Sequence, residues 1–146
     1  AERASQKALE LDPELAEAHV SRANALYLAK RTDEAMKEFD EAIRLGPELF
    51  EAHYYYARAC FAQGLYEKAV HLFERAAEIR PEDYQTPNHI AITCIGLKRP
   101  DDAHASYQRC LDACEQHLEL FPDDARALYF GAQSLVYLGD RERGLK

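Results

Sequence analysis

Small and aromatic apolar residues return along the chain in one repeating arrangement, with charged residues filling the positions between them. Ala23, Ala57 and Ala91 are 34 residues apart, as are Ala35, Ala69 and Ala103. Phe39, Phe73 and Tyr107 keep the same step, and so do Pro13, Pro47 and Pro81. Each Pro closes a similar phrase: Ala-Leu-Glu-Leu-Asp-Pro at 8–13, Ala-Ile-Arg-Leu-Gly-Pro at 42–47 and Ala-Ala-Glu-Ile-Arg-Pro at 76–81. Pro cannot continue a helix and biases its predecessor away from one, so it ends the second helix of each unit. Small residues let one helix backbone approach another, and the recurring aromatics fill the space between successive units. The pattern predicts helices over 1–11, 14–29, 33–45, 48–62, 66–79, 87–97, 100–120 and 124–138. A single unit cannot bury its apolar stripe alone, so stacking of units must supply the core.

A 34-residue unit with Ala-x3-Phe and a closing Pro resembles the tetratricopeptide repeat, a helix–turn–helix motif. The resemblance recurs in register over almost the whole chain. It implies an all-α fold, a right-handed α-solenoid of antiparallel helix pairs. Counted from the first helix of the family's unit, repeats fall at 16–49, 50–83 and 84–124. Residues 1–15 are expected to be the second helix of a preceding repeat, and 125–146 a partial repeat. The pattern opens mid-unit at Ala1 without a Met, as expected of a piece of a longer array.

The third unit departs from the pattern. Its closing Pro is expected near 115 and stands at Pro122, a seven-residue insertion. Seven residues are nearly two α-turns, so the helix lengthens by roughly 10 Å and almost keeps its facing. Cys110, Cys114, His117 and Phe121 then share one stripe, and Asp112, Glu115 and Glu119 another. Thr86-Pro87 reads as an N-cap followed by Pro at the first helical position. Pro87, His19, His53 and Leu128 stand where the family favours a large aromatic, and Arg22 and Gly131 where it favours Leu. Ala132 takes the small-residue position in the last helix.

Charge and composition narrow the function. The 26 acidic residues outnumber 18 basic ones, for a formal net charge of −8, which excludes the basic footprint of a nucleic-acid binder. No apolar run nears the ~20 residues that span a bilayer. The four Cys form neither a disulfide-dense scaffold nor Cys-x-x-Cys pairs, which fits a reducing, cytoplasmic location.

The family resemblance also implies where a ligand sits. The first helices line a concave groove through positions 2, 5, 6, 9, 12 and 13 of each unit. These are Glu17, Val20, Ser21, Asn24, Tyr27 and Leu28, then Glu51, Tyr54, Tyr55, Arg58, Phe61 and Ala62. Gln85, Asn88, His89, Ile92, Ile95 and Gly96 follow, then Arg126, Tyr129, Phe130, Gln133, Val136 and Tyr137. Tyr and Arg dominate binding hot spots. Asn24, Asn88 and Gln133 can bond a peptide backbone through their amides. Arg58, His89 and Arg126 can receive a carboxylate or phosphate. The expected partner-binding set is Asn24, Tyr54, Tyr55, Arg58, Asn88, His89, Arg126, Tyr129 and Gln133. Tyr27, Phe61, Val136 and Tyr137 are read as packing residues, and Tyr56 as core. A family subgroup grips a C-terminal carboxylate with five Lys, Asn and Arg residues. Only Asn24 matches that set, with Val20, Tyr55, Gln85 and His89 in the other places, so that clamp is not expected.

No other chemistry stands out. A zinc site needs about four ligands, and Cys110, Cys114 and His117 lack a fourth on their face. The cysteines occupy core positions and read as small hydrophobes. Nothing singles out a nucleophile with a base, and no phosphate-binding loop is present. Asp101, Asp102, Asp123 and Asp124 sit at helix starts, where the macrodipole favours acids. The expected function is a non-catalytic protein–protein interaction module that binds a partner peptide or segment and needs no cofactor or metal. Two alternatives remain: a regulatory or sensing appendage of a larger bacterial signalling protein, and a homo-oligomer formed through exposed terminal helices.

Overall fold

The computed structural model describes residues 15–145, with side chains through residue 139. Seven α-helices run through the described residues: α1 (Ala16–Leu28), α2 (Thr32–Leu45), α3 (Phe50–Ala62), α4 (Tyr66–Ile79), α5 (Gln85–Gly96), α6 (Pro100–Leu120) and α7 (Ala125–Leu145). The helices expected over 66–79 and 100–120 match α4 and α6 to the residue. The one expected over 1–11 lies outside the described residues. The chain divides into two compact units, the first ending at Ile79 and the second starting at Arg80.

In the first unit α1 packs on α2 and α3, α2 packs on α3, and α3 packs on α4. Alanine carries the contacts. Ala23, Ala35, Ala42, Ala52, Ala57, Ala69 and Ala76 are all fully buried, and so are the large rings Phe39, Tyr56 and Phe73. Phe39 stacks on Tyr56 with centroids 5.1 Å apart. The Tyr56 hydroxyl takes a hydrogen bond from Lys68 Nζ, so its one polar atom is satisfied. Gly46, just past the end of α2, permits the close approach of the start of α1, because an added Cβ would lie 2.8 Å from Cβ of Ala16. His19 and His53, which replace the family's aromatics, make polar ties instead. His19 Nδ1 lies 2.6 Å from Glu38 Oε2 across α1 and α2, and His53 Nε2 donates to the carbonyl of Pro47 at 2.8 Å.

In the second unit α6 packs on α5 and α7, and α5 touches α7. Tyr84, Cys110, Ala113, Cys114 and Ala127 form one cluster, flanked by Leu118 and Phe130. Ala91, Tyr107, Leu111 and Leu138 form another. The helix start differs from expectation. Thr86 is not the cap: α5 begins at Gln85, and Asp83 Oδ2 accepts from the Thr86 N–H at 2.8 Å and from its hydroxyl at 2.5 Å. A carboxylate three residues upstream takes both the Thr86 N–H and its hydroxyl, so Thr86 is itself a capped residue of the first turn.

Helix α6 spans 21 residues against 14 in α2 and α4, so the insertion does lengthen this helix. At its end Asp124 Oδ1 accepts from the N–H groups of Arg126 and Ala127 at 3.0 and 3.3 Å. Its other oxygen pairs with His117 Nε2 at 2.7 Å, and these bonds hold the Asp124 carboxyl below its usual range. So capped, α7 buries Ala127, Gly131, Ser134 and Leu138. Ala132, expected in the packed seam, is exposed, and Gly131 takes the small-residue place. The proline spacing therefore misplaces the buried face of α7 by one residue.

The first helix of each pair ends in the same turn. Lys30, Gly64 and Lys98 have φ of 63°, 78° and 60° and follow one another at 34-residue steps. The next N–H reaches back five residues each time: Arg31 to Leu26, Leu65 to Cys60 and Arg99 to Cys94, at 2.9 Å. This is the six-to-one bond of a Schellman cap, which wants glycine at the left-handed residue. Two lysines hold that conformation against its steric cost. Lys30→Gly and Lys98→Gly should each raise stability by about 0.5–1 kcal/mol, and Gly64→Ala should lower it by about 1 kcal/mol. Urea unfolding followed by circular dichroism measures all three, and the opposite signs would refute the strain.

Candidate functional site

Helices α1 and α3 of the first unit enclose a groove made of two adjoining chambers. Glu17, Val20, Ser21, Asn24, Leu49, Glu51 and Tyr55 line one of about 300 Å³. Asn24, Tyr27, Leu28, Tyr55, Arg58, Ala59 and Ala62 line the other, of about 320 Å³. Asn24 and Tyr55 belong to both, so they mark the middle of the groove. Asn24, Tyr55 and Arg58, all expected on sequence grounds, thus come together. The i, i+3, i+4, i+7 spacing of Glu17, Val20, Ser21 and Asn24 puts them on one helical face.

The aromatic wall divides into packing and lining parts. Tyr54 is wedged among rings: stacked on Phe50 at 5.2 Å, edge-on to Tyr55 at 5.4 Å and to Phe73 at 6.0 Å. It supports Tyr55 and lines neither chamber. The Arg58 guanidinium lies 5.8 Å from the Tyr54 ring centre, which steers it without enclosing it. Tyr55 is half-buried against Val20, Ala42 and Ala52. Tyr27, read as packing, lines the second chamber, and the Gln63 amide donates to its hydroxyl at 3.4 Å. Phe61 packs on Tyr66 with centroids 5.3 Å apart. Leu28 is 82% exposed at the chamber's end, a large apolar side chain left to solvent. Leu49 and Ala59 are lining residues that the positional pattern missed. Leu49 precedes α3 and Ala59 lies on its inner shoulder, so neither falls on the family's first-helix positions.

The expected residues of the second unit are placed differently. Asn88 is 3% exposed and its Oδ1 is enclosed, so it does not lie open to a ligand. Helix α5 starts two residues earlier than expected, and the fifth position of the unit faces inward on it. Val20, at the same position on α1, is buried as well. His89 is half-buried. Arg126 and Tyr129 are exposed on α7, and Gln133 is half-buried with Oε1 enclosed. Val136, read as packing, is 61% exposed, whereas Tyr137 does pack, 4.4 Å from the Tyr107 ring. Leu128, Tyr129, Leu135 and Val136 leave an apolar stripe on α7 open.

The ionisable groups away from the groove serve the fold. Burial pushes the Cys110 thiol up and the Cys114 thiol up to about 12, so both keep their protons. Among the described residues no group of His, Cys, Asp and Glu is placed to hold a metal ion. No described helix is long and apolar enough to cross a membrane.

Known proteins resemble this chain in sequence pattern and in fold. Two sequence models of the tetratricopeptide repeat match it, over residues 1–50 and 26–86. A comparison with curated proteins gives no match. Among solved structures, YrrB, described as a TPR protein with an unusual peptide-binding site, is similar with a TM-score of 0.69 and 22% identity, over 99% of this chain and 89% of that one. PcrH in complex with the chaperone binding region of PopD has a TM-score of 0.72 and 17% identity, over 89% and 92%. The Yersinia enterocolitica type III secretion chaperone SycD, in complex with a peptide of the translocator YopD, has a TM-score of 0.71 and 16% identity, over 89% and 94%. The 34-residue frame, the helix pairs and the two matching models, which together span residues 1–86, place this all-α chain in the tetratricopeptide-repeat family.

Proposed function

We propose that the chain is a non-catalytic protein-interaction module whose α1–α3 groove takes an extended segment of a partner protein. The observation that carries this is the groove itself: two joined chambers with a tyrosine and a side-chain amide at their junction, and Leu28 and Arg58 exposed beside them. Apolar lining with a few placed polar groups is the usual make-up of a binding site. The amide of Asn24 has both a donor and an acceptor for a peptide backbone. Similar folds solved with bound partner segments, PcrH with PopD and SycD with YopD, support the same use of this one.

Affinity capture from native lysate tests this reading. Wild-type chain is compared with Leu28→Glu plus Arg58→Glu, and with Tyr55→Ala plus Arg58→Glu. Leu28 and Arg58 are exposed, so the first variant should keep its helicity and melting temperature. Both variants should lose the partner, because single hot-spot residues commonly carry more than about 1 kcal/mol. An unchanged partner list with intact folding would remove the groove from the account.

A second reading rests on α7. Leu128, Tyr129, Leu135 and Val136 expose an apolar stripe of the kind that marks an association surface. Self-association through it predicts a sedimentation coefficient that rises with concentration and falls back in Leu135→Lys. A strict monomer throughout would dismiss this reading.

A further inference from the structure

The groove is electrically polarised along its length. Glu17 and Glu51 line one chamber, whereas Arg58 lines the other. Apart from the tyrosines, no other ionisable side chain among the described residues lines either chamber. Glu17 and Glu51 belong to the first turns of α1 and α3, and Arg58 to the third turn of α3. Leu28 ends α1 beside the basic chamber. From Glu17 to Leu28 the helix rises by about 16 Å. An extended chain covers that span with about five residues.

The chambers also differ in what they offer an uncharged side chain. The basic one presents Tyr27, Leu28, Ala59 and Ala62, a mainly apolar wall with small residues that leave room. The acidic one carries Ser21 and the two carboxylates beside Val20, Leu49 and Tyr55. An apolar anchor therefore favours the chamber beside Arg58. A basic side chain favours the carboxylates, and Asn24 sits between to hold the backbone.

Resting on the reading that the groove takes an extended segment, we propose that it selects a partner by charge order. The partner has an apolar residue directly next to an acidic one, and a basic residue about three positions from the acid on the acid's other side, because Arg58 lies between the carboxylates and the Tyr27–Ala62 end and leans back over Tyr54. The apolar side chain enters the Tyr27–Ala62 chamber, the acid meets Arg58 and the base meets Glu17 and Glu51. Complementary charges of this kind set specificity and suppress wrong partners.

Two capped peptides, both acetylated and amidated, test the charge order: Lys-Ser-Ser-Glu-Leu and Glu-Ser-Ser-Lys-Leu. The second keeps composition and anchor but swaps the charges, and running it backwards does not restore the match. Each is titrated into the isotopically labelled chain and followed by amide chemical shifts. The first should bind about five- to tenfold more tightly, the size expected from two partly exposed ion pairs. Shifts should centre on Asn24 and Tyr55. The preference should invert in Glu17→Lys plus Glu51→Lys plus Arg58→Glu, where all three lining charges are reversed. Equal binding of both peptides in the groove would overturn the charge order and leave the binding function standing. Shifts outside the groove, or none at millimolar peptide, would overturn both.

Discussion

Close approach of helices through alanine is the constraint on which the structure depends. Ala23, Ala57 and Ala91 on the first helices, and Ala35, Ala69 and Ala103 on the second, are all fully buried. A methyl group fills little space, so the backbones come near enough for each helix to cover its neighbour's apolar stripe. Close packing is felt at the level of one methylene. The large rings then have defined places: Phe39 against Tyr56, and Phe73 against Tyr54. The groove follows from the same spacing. With α1 and α3 packed together, Asn24, Tyr55 and Arg58 come to line one continuous depression.

Much of this was legible in the residues. The 34-step repetition of Ala, Phe and Pro reports backbone contacts that every unit must make, so it predicted helix type and order. Boundaries at 66–79 and 100–120 came out to the residue, where a Schellman turn or a proline punctuates the chain. Other features were hidden because they depend on a single local contact. Asp83 holds the first turn of α5, and no composition rule distinguishes it from Thr86 three residues on. The phase of α7 depends on Asp124, which His117 holds from the end of the inserted turns. One residue of difference turned Ala132 outward and Gly131 inward.

The lining of the candidate groove was legible to a similar degree. A positional rule finds residues on one helical face, which is why Asn24, Tyr55 and Arg58 were expected and do come together. It is blind to how deeply a neighbour covers that face. Asn88 satisfies the rule and is buried, and Tyr54 satisfies it and serves as a prop for Tyr55. Leu49 and Ala59 line the groove from positions outside the rule. The polarity of the groove, with carboxylates in one chamber and Arg58 in the other, needed the lining sets themselves.

The alanine seam is most directly tested by thermal unfolding of Ala57→Leu. The added side chain has no room at a fully buried position between packed helices. Overpacking of this kind costs about 1–3 kcal/mol, and the melting temperature should fall by roughly 5–10 °C. A variant that melts with the wild type would show that α3 has space at its seam, and would contradict close packing as the origin of the groove.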